Sequence, residues 1–121
     1  MGEQPQEPCR ILLADDDPDV RTTLKLVLDM DHHSVEEACD GVEALELFRS
    51  KRFDLVITDY VMPRMSGDQL AGEIKKESPS LPVIMITANA DLLPDPVSGV
   101  DFLLPKPFQI AELRKAIRKV V

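Results

Sequence analysis

Four short stretches of the chain end in residues that handle phosphate and metal ions: Asp15-Asp16-Asp17, Thr58-Asp59, Thr87 and Lys106. Carboxylates gathered in one place repel one another. Two of them about 5 Å apart cost roughly 3 kcal/mol at an effective dielectric near 20. They stay ionised at neutral pH only when a cation offsets that repulsion. Mg²⁺ suits the task, because it takes a few carboxylates together with waters and phosphate oxygens. A lysine adds a flexible point charge for a phosphate group. A threonine hydroxyl can donate to a phosphoryl oxygen. The set describes a phosphoryl-transfer site in which a carboxylate is the nucleophile.

Taken singly, each residue has a plainer role. Asp17 precedes Pro18 and reads as a helix N-cap with proline at the first helical position. Asp59 alone is a turn residue, Thr87 a common strand residue, and Lys106 a solvated cation. Asp15 and Asp16 resist this treatment, since adjacent carboxylates at a buried strand end are costly without a cation. Lys106 lies between Pro105 and Pro107, which stiffen its backbone.

The surrounding elements alternate. Apolar runs at Ile11–Ala14, Leu55–Ile57, Pro82–Ile86 and Phe102–Leu104, with a weaker one near Ser34–Glu37, predict five strands. Helical spacing follows in Val20, Leu24, Val27 and Leu28, in Val42, Leu45 and Phe48 after Asp40-Gly41, in Leu70, Ala71 and Ile74 after Gly67, and in Ile110, Leu113, Ile117 and Val120. Strands that are apolar on both faces imply a parallel sheet covered by helices, an open doubly wound α/β fold. Ligands of such sheets bind beyond the carboxyl ends of the strands, where the four stretches fall. The fourth connection contains Leu93-Pro94-Asp95-Pro96 and predicts a shortened fourth helix.

The 121 residues make one domain, read as residues 10–121 after a polar tail or linker over 1–9. Twenty-two acidic residues against 14 basic ones give a net charge of −8, which disfavours nucleic acid and anionic membranes. Arg114, Lys115, Arg118 and Lys119 sit where they answer a helix dipole. No apolar run approaches a membrane span or a signal peptide, so a cytoplasmic protein is expected. Cys9 and Cys39 predict neither a disulfide nor a zinc site. His32 and His33 read as loop surface, and Cys39 and Met62 as packing residues.

With these residues assembled, the chain closely resembles the receiver domain of two-component response regulators. ILLADDDPDVR, DLVITDYVMPRMSG, PVIMITA and PKPF carry the likeness in order, over about Arg10 to Val121. The resemblance implies a flavodoxin-like sheet of order 2-1-3-4-5. It implies Asp59 as phosphoacceptor and Asp15, Asp16, Asp59 and the Val61 backbone carbonyl as Mg²⁺ ligands. Thr87 and Lys106 would engage the phosphoryl group, and Lys106-Pro107 would be cis. The donor would be a histidine kinase or histidine phosphotransferase, and a homodimer stays open. Such a domain takes part in its own phosphorylation and dephosphorylation and is not a turnover enzyme. Val61 and Asn89, beside the site, are expected to set the phosphoryl lifetime. The family usually carries Tyr or Phe where this chain has Leu103, and Phe102 falls on the opposite face.

Three rival functions meet obstacles. A haloacid-dehalogenase-type phosphatase needs Asp-x-Asp-x-Thr/Val. Asp19 or Arg21 stands at the last position, and only Glu112 offers a carboxylate after the lysine. A flavin module would bring its phosphate against three aspartates. A degenerate receiver serving only as an interaction module would have no need for the intact aspartates, Thr87 and Lys106.

Overall fold

The computed structural model describes residues 7–94 and 97–121. Residues 1–6 of the expected tail over 1–9, and Asp95 and Pro96 of the proline-broken connection, lie outside the described residues.

Strand and helix alternate as β1 (Arg10–Ala14), α1 (Pro18–Met30), β2 (Ser34–Ala38), α2 (Gly41–Ser50), β3 (Leu55–Asp59), α3 (Gly67–Glu77), β4 (Val83–Thr87), β5 (Phe102–Pro105) and α4 (Ile110–Val120). Among the described residues, the β4–β5 connection holds a single 3-10 turn, Ala90–Leu92. The strand order is β2-β1-β3-β4-β5, every neighbouring pair parallel.

Strand periodicity splits the apolar residues into two cores. Ile11, Leu13, Ile57 and Ile86 pack with Leu24 and Leu28 of α1 and Leu113 and Ile117 of α4. Leu12, Ala14, Val56 and Val83 face Leu45 of α2 and Leu70 and Ile74 of α3. Each fully buried Leu or Ile contributes about 1.5–3 kcal/mol, which makes the sheet a rigid platform. Phe102 joins the α1/α4 side, as alternation predicts, and Lys119 Nζ sits 5.6 Å from its ring centroid. Leu103 therefore leaves β5 without an aromatic on its opposite face.

The helix starts are built from local hydrogen bonds. Asp17 Oδ1 accepts from the Asp19 amide at 2.9 Å, ahead of Pro18. Asp40 Oδ1 accepts from the Glu43 amide at 2.8 Å. Gln69 and Glu112 reach back to the amides of Ser66 and Gln109.

Three readings change. Cys9, assigned to the tail, is buried, and its amide donates to His33 Nδ1 at 2.9 Å. His33 is accordingly buried rather than loop surface, because β1 needs an acceptor for that amide at its entry. Cys39 is exposed at the end of β2 rather than packed, whereas Met62 is buried. Among the described residues, no helix is long and apolar enough to cross a membrane.

Candidate functional site

The order β2-β1-β3 reverses direction between β1 and β3, so a crevice opens beyond their carboxyl ends. Ala14 pairs with Thr58, and Asp59 pairs with Ile86. This register places Asp15 directly after β1, Asp59 at the tip of β3, and Thr87 one residue beyond Asp59's partner. Thr87 in turn pairs with Pro105, and its carbonyl accepts from the Lys106 amide at 2.8 Å. Lys106 is thereby brought to the same rim, and its bond to Pro107 is cis.

Carboxylate oxygens of Asp15, Asp16 and Asp59 lie within 4.8 Å of one another. Lys106 Nζ stands 3.5 Å from Oδ2 of Asp15 and 3.5 Å from Oδ2 of Asp59. Asp15 is buried, Asp59 half-buried and Asp16 exposed. The Asp17 amide donates to Asp15 Oδ1 at 2.9 Å, and the Tyr60 amide to Asp59 Oδ1 at 2.7 Å. Each inner carboxylate thus has one oxygen held by backbone and the other turned toward Lys106. Burial pushes the Asp59 carboxyl above its ordinary value; Lys106 draws it back down and Asp15 adds to the rise. Its charge is therefore only partly compensated by the protein.

The donors suit a hard cation. All three are carboxylates, with no sulfur or imidazole among them. Octahedral Mg²⁺ with bonds near 2.1 Å needs oxygen separations of about 3 to 4.2 Å. The separations in this set, all within 4.8 Å, exceed that range by little at most. Val61 follows in the loop after Asp59 and is 56% exposed. Thr87 is fully buried, and its Oγ1 accepts from the Asn89 amide at 3.0 Å.

Other contributors lie within the stretches ILLADDDPDVR and DLVITDYVMPRMSG, or pair with them, but their spacing assigned them no role. Gly67 begins α3 against the Asp59 backbone, where a Cβ would overlap the Asp59 carbonyl oxygen. Its amide donates to the Tyr60 carbonyl at 2.8 Å. Arg64, at φ 68°, reaches Asp40 with Nε at 3.1 Å and Nη2 at 3.2 Å, tying the β3–α3 loop to the start of α2. The Arg64 pair holds the Asp40 carboxyl below its usual range, after the larger effect of the Glu43 amide. Arg21 of α1 donates to the Asp15 carbonyl at 2.7 Å.

The family model described as the response regulator receiver domain matches residues 11–118. Response regulator MprA of Mycobacterium sp. (strain KMS) is 39% identical over 118 residues, covering 94% of this chain and 51% of that protein. The chain thus spans about half the length of the curated relatives it matches. The crystal structure of response regulator TrrA from Thermotoga maritima, in complex with Mg²⁺-BeF, superposes with a TM-score of 0.86 at 37% identity, covering 93% of this chain and 98% of that one. The receiver domain of a Pseudomonas aeruginosa sensor histidine kinase, with a magnesium ion coordinated in its active-site cleft, gives a TM-score of 0.87 at 28% identity, covering 94% and 98%.

Proposed function

Because the chain belongs to the response regulator receiver domain family, we propose that it carries a transient phosphoryl group on Asp59, received from a phosphohistidine of a histidine kinase or histidine phosphotransferase. The observation that carries this reading is the convergence of Asp15, Asp16 and Asp59 within 4.8 Å, with Lys106 against two of them.

An Asp59 carboxylate oxygen attacks phosphorus as the P–N bond of the donor breaks, and the electron pair of that bond returns to the imidazole. Asp15, Asp16, Asp59 and the Val61 carbonyl would hold Mg²⁺, which when bound supplies positive charge to the phosphoryl oxygens. The Tyr60 amide fixes one Asp59 oxygen and so orients the carboxylate before the donor arrives. Lys106 is close enough to shift from the carboxylates to a new phosphoryl oxygen. Phosphorylation replaces one negative charge by nearly two and adds acceptor oxygens. Thr87, whose hydroxyl accepts from the Asn89 backbone amide, turns to donate to one of them. Those two movements bias the loops after β4 and β5 and relay the signal. An apolar groove between α1 and α4, lined by Val20, Leu24, Phe108 and Leu113, opens beside Lys106.

Intact-mass measurement after incubation with Mg²⁺ and a small phosphodonor tests the assignment. One phosphoryl group on the wild type and none on Asp59→Asn is the expected result. No phosphoryl group on the wild type, or labelling of the variant, would overturn it.

A further inference from the structure

Asp15 and Asp16 differ in how they are held. Every polar group of Asp15 has a partner. Its amide donates to the Ala38 carbonyl at 3.1 Å, Oδ1 accepts from the Asp17 amide, Oδ2 faces Lys106, and its carbonyl accepts from Arg21 Nη1 at 2.7 Å. The exposed Asp16 side chain has no hydrogen-bond partner among the described residues. The peptide that joins it to Asp15 is gripped, among the side chains of the described residues, by Arg21 alone.

Arg21 is built for this. It lies in the second turn of α1, and its side chain is only 19% exposed. Its Nε stands 3.5 Å from Glu37 Oε1 on β2. The rigid guanidinium is therefore braced between the edge strand and the Asp15 carbonyl. A planar fork loses less freedom per hydrogen bond than an ammonium would. It also places a positive charge behind a turn that carries three consecutive carboxylates.

We propose that Arg21 is a positioning residue for the metal pair: by holding the Asp15–Asp16 peptide it aims the Asp16 carboxylate into the cation site before the cation binds. This rests on the reading of Asp15 and Asp16 as metal ligands. It predicts a loss of Mg²⁺ affinity, with little loss of phosphorylation rate once Mg²⁺ saturates.

The test compares wild type with Arg21→Gln, Arg21→Lys and Lys25→Gln. Lys25 pairs with Asp29 at 2.8 Å, one turn further along the same helix, and controls for charge. Tyr60 is the only tyrosine in a chain without tryptophan, so its fluorescence reports Mg²⁺ binding beside Asp59. Arg21→Gln should weaken Mg²⁺ about tenfold, or 1.4 kcal/mol. Its phosphorylation rate at saturating Mg²⁺ should stay within about threefold of wild type. In Mg²⁺-free protein its Asp17 amide should exchange with solvent faster, which needs no metal to observe. Arg21→Lys should recover part of the affinity, and Lys25→Gln should match wild type. Unchanged Mg²⁺ affinity in Arg21→Gln, or an equal loss in Lys25→Gln, would overturn the inference. Should Arg21→Gln not fold, Arg21→Lys decides: an affinity equal to wild type would overturn the inference, and a loss of about threefold would support it. Wild type that takes up neither Mg²⁺ nor a phosphoryl group would instead sink the receiver function itself.

Discussion

Lys106 Nζ lies 3.5 Å from Asp59 Oδ2, longer than a strong charge-assisted hydrogen bond. It lies equally far from Asp15 Oδ2. The ammonium balances two carboxylates and commits to neither, so it can transfer to a phosphoryl oxygen at small cost. Lys106→Met should act in two directions. Removing the cation leaves the carboxylates less compensated, so Mg²⁺ should bind more tightly. Phosphorylation at saturating Mg²⁺ should slow about tenfold or more, because a charge aimed at the phosphoryl group is gone. A Tyr60 fluorescence titration and a phosphorylation time course measure the two effects. Weaker Mg²⁺ binding in the variant would contradict the balance described.

Gly67 and Gly72 lie five residues apart in α3 and should respond oppositely to alanine. A Cβ at Gly67 meets the Asp59 carbonyl oxygen, a backbone atom that cannot rotate away. Gly67→Ala should cost about 3 kcal/mol or more and displace Asp59. A Cβ at Gly72 meets nothing within 4 Å. Gly72→Ala should gain about 1 kcal/mol from helix propensity alone. Urea unfolding of the two variants measures both signs. Equal effects would mean that α3 does not seat on Asp59 as described.

Much of this was legible in the residues, and the limits have physical causes. Continuous apolar strands and the Asp17-Pro18 and Asp40-Gly41 helix starts gave the element order, since burial and capping are local signals. The strand order came with the family resemblance, because periodicity does not say which strands are neighbours. The aspartates stood out because three acids at a strand end need a cation. Arg21, Arg64 and Gly67 did not, because each acts through one long-range backbone or side-chain contact that leaves no spacing to read. His33 was misread for the same reason: an imidazole in a polar loop looks exposed until Cys9, 24 residues earlier, is seen to donate to it.

Val61 and Asn89 flank the proposed phosphoryl position from two loops. Val61 is 56% exposed and holds no charge, and the Asn89 backbone amide donates to Thr87 Oγ1. Neither side chain offers a base to a water molecule attacking phosphorus. Val61→Glu combined with Asn89→Glu supplies two, so phosphate should be released at least about threefold faster. The half-life of phosphorylated protein after donor removal measures this. Unchanged decay would show that the lifetime is set elsewhere.

His33 ties stability to pH at the opposite end of the sheet from the aspartates. Its Nδ1 accepts from the Cys9 amide, so that nitrogen must be unprotonated in the folded protein. Burial holds the imidazole below the ordinary histidine value; Asp31 opposes this shift and His32 adds to it. An unfolded chain takes up the proton near pH 6.5, and the folded chain only at lower pH. Between the two values the unfolded state binds more protons. The contribution is therefore complete above about 6.5 and falls as pH drops toward the lowered folded value, by at most about 1.4 kcal/mol per pH unit. His33→Asn keeps an acceptor near the Nδ1 position and removes the titration. Urea unfolding at about pH 7.5 and 5.5, above the range where carboxylates dominate, should show a loss in wild type and a smaller one in the variant. Equal losses in the two proteins would place the pH sensitivity on other groups.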